Sequence, residues 1–102
     1  MMGTFKLIAL SNPVEGKDEE FNAWYADEHV ADILAIPGIR HAERFRLATE
    51  KGKYKYLAVY EIEADDVNVP LTELRRRLRS GEIVLSESMQ QDDVLLGAYA
   101  TI

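Results

Sequence analysis

The chain has 102 residues, 47% apolar and 29% charged, which fits one globular domain over residues 1–102 and excludes a disordered or collagen-like chain. Its 12 basic and 18 acidic residues give a net charge of −6, which argues against a nucleic-acid-binding surface. Cysteine is absent and no apolar run approaches the roughly 20 residues that span a bilayer, so we expect a cytoplasmic protein with no membrane contact and no disulfide.

Hydrophobic periodicity and turn residues predict the first two elements. The apolar, β-compatible stretch Thr4–Leu10 predicts a strand. Acidic residues that begin at Asp18 open a helix, which runs to about Ile36 and is stopped by Pro37 and Gly38.

Two strands are predicted next, joined by a hairpin turn. Residues Ile39–Thr49 alternate in polarity, Glu50–Lys53 contains the glycine that a tight turn requires, and Tyr54–Ile62 is the clearest strand pattern in the chain.

The last third of the chain predicts a helix and a strand. Pro70 suits the first helical position, leucines follow at helical spacing, and Gly81 is a helix stop. Residues Glu82–Asp93 carry no clear pattern, and Val94–Ile102 predicts a final strand.

This order, β-α-β-β-α-β, predicts an α+β ferredoxin-like fold, with both helices on one face of a four-stranded antiparallel sheet. The predicted third strand is apolar on both sides, with Leu57 and Val59 facing away from Tyr60. Two helices cover only one face, so we expect a second copy to cover the other in a homodimer.

One histidine is expected to face inward from the first helix. With about 100° per residue, His29 falls in the same apolar stripe as Phe21 and Tyr25, with Asp32 at its edge and within reach along the helix. A histidine can exchange protons near neutrality, a carboxylate can fix its tautomer, and a tyrosine hydroxyl can donate to an oxyanion. These residues are candidates for enolisation, dehydration or ring closure.

Structural roles compete with each of these assignments. His29 could be an ordinary core histidine, Asp32 a solvated acid, and Tyr25 a residue with its hydroxyl in solvent. Phe21 and Trp24 suit the core as well as a pocket wall.

Two residues of the predicted sheet are weaker candidates. Tyr60 could line a pocket or only pack along its strand. Arg44 lies with Arg40 and Arg46 on the side of its strand opposite Ile39 and Phe45. It could bind a substrate carboxylate or pair with acids at a dimer seam, and the second role is preferred.

Several chemistries lack their residues. No phosphate-binding glycine motif occurs, and two histidines without cysteine do not make a zinc site. We therefore expect no metal and no cofactor.

The motif that runs from Phe21-Asn22-Ala23-Trp24-Tyr25 through Glu28-His29 and Asp32 to Pro37-Gly38 resembles the EthD-like family of dimeric α+β barrels. The strand segments Ala42-Glu43-Arg44-Phe45 and Tyr56-Leu57-Ala58-Val59-Tyr60 add to this resemblance, which extends to about Ile62 and is weak over 67–93.

The resemblance implies a homodimeric barrel with a pocket between sheet and helices and with its histidine at His29. We expect a cofactor-free acid–base enzyme of the dehydratase, isomerase or cyclase type, with His29, Tyr25 and Asp32 catalytic and with Phe21, Trp24, Tyr60 and Arg44 contacting substrate. The substrate would be a small, hydrophobic, oxygenated molecule, such as an aromatic or polyketide-like catabolite. A non-catalytic binding protein and a cofactor-free monooxygenase are the alternatives.

Overall fold

A computed structural model describes residues 2–102 and has the predicted order of elements. The strands are β1 (Gly3–Ser11), β2 (Ile39–Arg46), β3 (Tyr56–Ala64) and β4 (Leu95–Ala100). They form one antiparallel sheet in the order β2-β3-β1-β4, which is the ferredoxin-like arrangement.

The first predicted helix is continuous but not uniform. It consists of α1 (Asp18–Trp24), a π-helical turn (Tyr25–His29) and α2 (Val30–Leu34). The second helix, α3, spans Asn68–Ser80 and ends at Gly81, whose φ of 84° is the left-handed conformation that favours glycine. Pro70 is therefore the third helical residue instead of the first, still within the turn whose N–H groups have no helical partner.

The hydrophobic core lies between the helices and one face of the sheet. Pairing places Leu7 of β1 opposite Tyr60 of β3, and both are fully buried together with Phe21 of α1. Because side chains alternate along a strand, the residues on either side of these strand positions point to the other face, which no helix of the described chain covers.

That uncovered face is mostly apolar, as predicted from the strand pattern, and charged or polar residues such as the ion-paired Lys6 and Glu61 lie toward one end of it. It carries half-buried side chains in its centre and large exposed ones toward its edges, where Phe45 is 47% exposed, Leu95 43% and Tyr99 57%. We call this surface, made of Ile8, Leu10, Phe45, Leu57, Val59, Leu95 and Tyr99, the bare sheet face.

A β-bulge changes which residues of β2 share a side. The register shifts between Ile39 and His41, so Ile39 is buried under the helices while Arg44 lies on the same helix-facing side. The predicted simple alternation, which set Arg44 opposite Ile39, is therefore wrong on this point.

The connection between β2 and β3 is longer than the predicted turn. Strand β2 ends at Arg46 instead of Thr49, and β3 begins at Tyr56. Tyr54 lies outside the sheet and its hydroxyl donates a hydrogen bond of 2.9 Å to Asp93. This contact joins the β2–β3 connection to the segment before β4.

Gly38 links the end of the first helix to β3. Its φ is 97°, its carbonyl accepts a hydrogen bond of 2.8 Å from the Glu63 N–H, and a Cβ added there would lie 3.2 Å from the Glu63 carbonyl oxygen. Glycine is required at this position for both its backbone angle and its close approach to β3.

Gly38→Ala is expected to lower the free energy of unfolding more than Gly81→Ala, measured by urea denaturation. Both substitutions place a Cβ in the left-handed region, at about 1 kcal/mol each. Only Gly38→Ala adds a close contact, because nothing lies within 4 Å of a Cβ at Gly81. Equal losses for the two variants would contradict this role for Gly38.

Candidate functional site

A cavity of about 150 Å³ lies between the sheet and the helices. Most of its lining is aliphatic, and its polar lining residues are Ser11, Tyr25, His29, Tyr60 and Gln91. Leu96 and Gln91 are exposed as well as lining, so the opening lies near β4 and the segment that precedes it.

The π-helical turn aligns the inward-facing residues of the first helix. Residues spaced by four drift about 40° around a regular α-helix, and a π-turn winds less per residue, which offsets this drift. Phe21, Tyr25 and His29 thereby stay over the sheet, and all three are buried. The predicted inward direction of His29 is observed, and π-turns of this kind are frequent at functional sites.

His29 is held between two aromatic rings and is 8% exposed. Its imidazole stacks on Trp24, with ring centroids 4.5 Å apart, and meets the edge of Tyr25 at 4.8 Å. Burial is the main cause that lowers the pKa of His29 to about 4, and the positive charge of Arg44 adds to it. The imidazole is therefore neutral at pH 7.

Two tyrosine hydroxyls lie beside this imidazole. Burial raises the pKa of Tyr25 and raises that of Tyr60 well above its usual range, so both stay protonated. The hydroxyls are close enough to act on each other's pKa, but Tyr60 Oη makes no well-formed hydrogen bond. The two tyrosine hydroxyls are therefore neighbours that interact weakly, without a well-formed hydrogen bond.

The sealed and open polar atoms of this cluster can be separated. Tyr60 Oη and His29 Nδ1 are buried without a hydrogen-bond partner. Tyr25 Oη and His29 Nε2 are not among the sealed atoms, and within residues 2–102 no well-formed hydrogen bond engages them. Within this cluster, Tyr25 Oη and Nε2 of His29 are therefore the polar atoms that a ligand could reach, and Ser11 and Gln91 add polar side chains elsewhere in the lining.

Arg44 lies behind Tyr25 and does not line the cavity. Its guanidinium carbon is 4.2 Å from the centre of the Tyr25 ring, and its Nη2 donates to Asn22 Oδ1 at 2.8 Å. It borders a separate shallow groove with Arg46 and Tyr56. Its charge acts on the cavity through the Tyr25 ring, so the predicted contact with substrate is not supported by its position.

Asp32 does not lie in the cavity. It lines an outer groove with Trp24 and Glu28, which precede it by eight and four residues on the solvent side of the first helix. Because it comes one residue before the inward-facing Ile33, it is turned by about 100° away from that row. No hydrogen bond joins it to His29 in the described part of the chain, and the predicted pairing of this carboxylate with the imidazole is not observed.

The remaining predicted pocket residues are divided between the cavity and its surroundings. Tyr60 lines the cavity. Phe21 packs behind Tyr25, with ring centroids 5.4 Å apart, and Trp24 covers the outer side of the His29 ring. These two aromatic residues pack against Tyr25 and His29 without lining the cavity themselves.

Several lining residues come from the region that had no sequence pattern. Leu85, Met89 and Gln91 lie in the irregular segment between α3 and β4, which is attached to the rest of the fold by a bridge from Met89 to Pro13. Apolar residues at 83, 85 and 89 were the available signal, but Glu87 interrupts their strand-like alternation.

Across residues 2–102, no group of three or more His, Asp or Glu side chains is arranged to hold a metal ion. In the same part of the chain, none of the helices is long and apolar enough to cross a membrane.

Comparison with known proteins identifies the fold. No protein-family model and no curated protein matches the chain. A dabb family protein with a ferredoxin-like fold from Mesorhizobium loti MAFF303099 matches with a TM-score of 0.71 and 16% identity, covering 98% of each chain. A protein from Shewanella loihica PV-4, provisionally assigned as a monooxygenase, matches with a TM-score of 0.70 and 15% identity, covering 100% of this chain and 97% of that one.

A third structure bears on the family. An ethyl tert-butyl ether D (EthD) family protein from Bacillus halodurans C-125 has 25% identity to this chain and a TM-score of 0.63, with full coverage of both chains. The ferredoxin-like α+β fold is thus shown, and the resemblance to the EthD-like family that the motifs predicted is confirmed.

Burial of His29 makes stability depend on pH. Its pKa falls from 6.5 in the unfolded chain to about 4 in the fold, so between these values the unfolded state binds more protons. The free energy of unfolding is therefore highest, as far as His29 is concerned, above pH 6.5. It falls as the pH drops toward 4, by about 3 kcal/mol in total.

We expect urea denaturation to show this loss in the wild type and to show less of it in His29→Gln. The variant His41→Gln, which removes an exposed histidine, is the control and should keep the wild-type profile. If His29→Gln follows the wild-type profile between pH 6.5 and 4, the pKa of His29 is not depressed in the fold.

Proposed function

We propose that the protein is a cofactor-free acid–base enzyme of the dehydratase, isomerase or cyclase type, acting on a small hydrophobic oxygenated molecule, such as an aromatic catabolite. The observation that carries this proposal is one neutral imidazole and two protonated phenols grouped at a cavity whose lining is mostly aliphatic. Such groups can move a proton and stabilise the oxygen on which negative charge develops, without a metal.

The roles follow from which atoms are open. Nε2 of His29 accepts a proton from substrate, and the Tyr25 hydroxyl donates a hydrogen bond to the substrate oxygen as it becomes negative. Arg44 behind the Tyr25 ring favours that negative charge. Tyr60 is a positioning residue, because its sealed hydroxyl acts on substrate only through Tyr25.

The low pKa of His29 limits how strong a base it is in the empty cavity. A negative charge that develops on substrate next to the imidazole raises its pKa, since an opposite charge stabilises the protonated ring. Proton transfer and charge development are therefore coupled. Asp32 has no part in the proposed mechanism, because it lines the outer groove and not the cavity.

The first test is proton exchange at carbon. We expect the wild type to accelerate exchange of the α-hydrogens of cyclohexanone in D₂O, followed by NMR. His29→Gln should lower the rate by about 10²- to 10⁴-fold, while His41→Gln keeps it. The wild-type rate should fall only as the pH drops toward 4, where His29 becomes protonated.

Two outcomes favour the alternatives. The weak basicity of His29 favours a binding protein without catalysis. A wild type that binds the ketone but exchanges none of its α-hydrogens would support this alternative. Oxygen consumption in the presence of a phenol would instead support a cofactor-free monooxygenase, since dehydration and isomerisation consume none.

We also propose that the bare sheet face packs against a second copy. Seven large apolar side chains lie on one side of this small domain, three of them exposed, and a contiguous apolar patch of this kind is typical of a protein–protein interface. A homodimer buries them in a self-complementary interface. The cytoplasmic location stays a prediction.

The charge variant Leu95→Glu is expected to convert a dimer into a monomer in sedimentation at micromolar concentration. Leu95 is on the bare sheet face, so the variant places a carboxylate in the proposed interface. Val69→Glu is the matched control, because Val69 is 67% exposed on α3 and away from the sheet. A wild-type species of 11.6 kDa would contradict the dimer.

A further inference from the structure

The size of the cavity limits its occupant. An engineered protein cavity of 150 Å³, lined by aliphatic and aromatic side chains, stays dry and binds benzene. The cavity beside His29 has about the same volume, and leucines from α3 and from the segments after it form much of its wall. This volume fits one six-membered ring with a small substituent, and a fused second ring would have to extend out through the opening near β4, away from the aliphatic walls.

The lining of the cavity limits the charge of its occupant. Its five polar residues include no Asp, Glu, Lys or Arg, so an ion would lose its hydration without gaining a counter-ion. Arg44 is not part of this lining, and its guanidinium carbon lies 4.2 Å from the centre of the Tyr25 ring. Neutrality of the imidazole and phenols at pH 7 agrees with this reading.

The open polar atoms require an oxygen on the occupant. Tyr25 Oη and His29 Nε2 belong to adjacent rings with centroids 4.8 Å apart, and no well-formed hydrogen bond within residues 2–102 engages either atom. A hydroxyl group can donate to Nε2 and accept from the Tyr25 hydroxyl, and a carbonyl group can accept from the Tyr25 hydroxyl, which replaces water at these atoms. The rest of the ring then contacts aliphatic walls.

We propose that the cavity takes an uncharged molecule of one six-membered ring that carries a single hydroxyl or carbonyl oxygen, such as a phenol or a cyclic ketone. This proposal names the substrate class of the proposed function. It depends on the proposed function only for the reaction, because binding of the ligand requires no catalysis. Within that function it excludes multi-ring, polyketide-like substrates and carboxylic acids.

Calorimetric titration of the full chain at pH 7 with matched probes tests size, charge and oxygen separately. Phenol against 2-naphthol tests the second ring, benzamide against benzoate tests charge at constant shape, and phenol against toluene tests the oxygen. We expect the first member of each pair to bind at least fivefold more tightly. Tighter binding of naphthol or benzoate, or no binding by any probe, would overturn the proposal.

Tyr25→Phe separates a specific oxygen contact from nonspecific partition into the cavity. It removes one hydroxyl at constant ring volume, so we expect phenol to bind about fivefold more weakly and toluene to bind unchanged. Tyr99→Phe, on the bare sheet face, is the control. Equal loss for both ligands in a variant that melts like the wild type would show that Tyr25 does not contact the oxygen.

Failure of this proposal and failure of the proposed function give different results. If phenol and cyclohexanone bind as expected but the α-hydrogens of cyclohexanone do not exchange, the catalytic role is removed and the ligand class stays in place. Exchange catalysed on a two-ring ketone, with one-ring ketones left unbound, would remove the ligand class and leave the acid–base chemistry.

Discussion

Burial of one imidazole without a counter-charge is the constraint on which the candidate site depends. His29 is enclosed by Trp24 and Tyr25. The π-helical turn keeps Phe21, Tyr25 and His29, which are spaced by four residues, over the sheet. Removing the ring from water disfavours its charged form, and no carboxylate is placed to restore it. The Tyr25–His29 cluster is thereby neutral, most of the cavity wall around it is apolar, and Tyr25 Oη and His29 Nε2 stay open to a ligand.

The same burial opposes stability. An imidazole with a sealed, unpaired Nδ1 and a phenol with a sealed hydroxyl cost free energy that apolar residues in their places would not. Aromatic contacts among Phe21, Tyr25 and Tyr56 offset part of that cost. Groups kept in such an environment are characteristic of functional sites, because their protonation states differ from those in water.

The fold divides its two sheet faces between different tasks. One face forms the cavity together with the first helix, α3 and the irregular segment before β4, and strand β3 contributes Tyr60 to its lining. The other face carries apolar residues that no part of the described chain covers. Pairing through that face would leave the helices and the cavity on the outside of an assembly, where a ligand can still reach the opening near β4.

The sequence itself determined the order of elements, the inward direction of His29 and Tyr25, and the apolar character of both sheet faces. Each of these depends on periodicity or on neighbouring residues. The position of Asp32 was decided by the tertiary structure. A helical wheel with about 100° per residue predicted that its carboxylate lies beside the imidazole of His29. In the fold, a turn of different pitch precedes it and it faces the outer groove. Arg44 changed sides relative to Ile39 because a bulge inserts a residue that strand alternation does not reveal. The cavity itself, closed by Leu85 and Met89 from a segment without regular structure, forms only when elements distant in sequence pack together, and no local pattern encodes its volume.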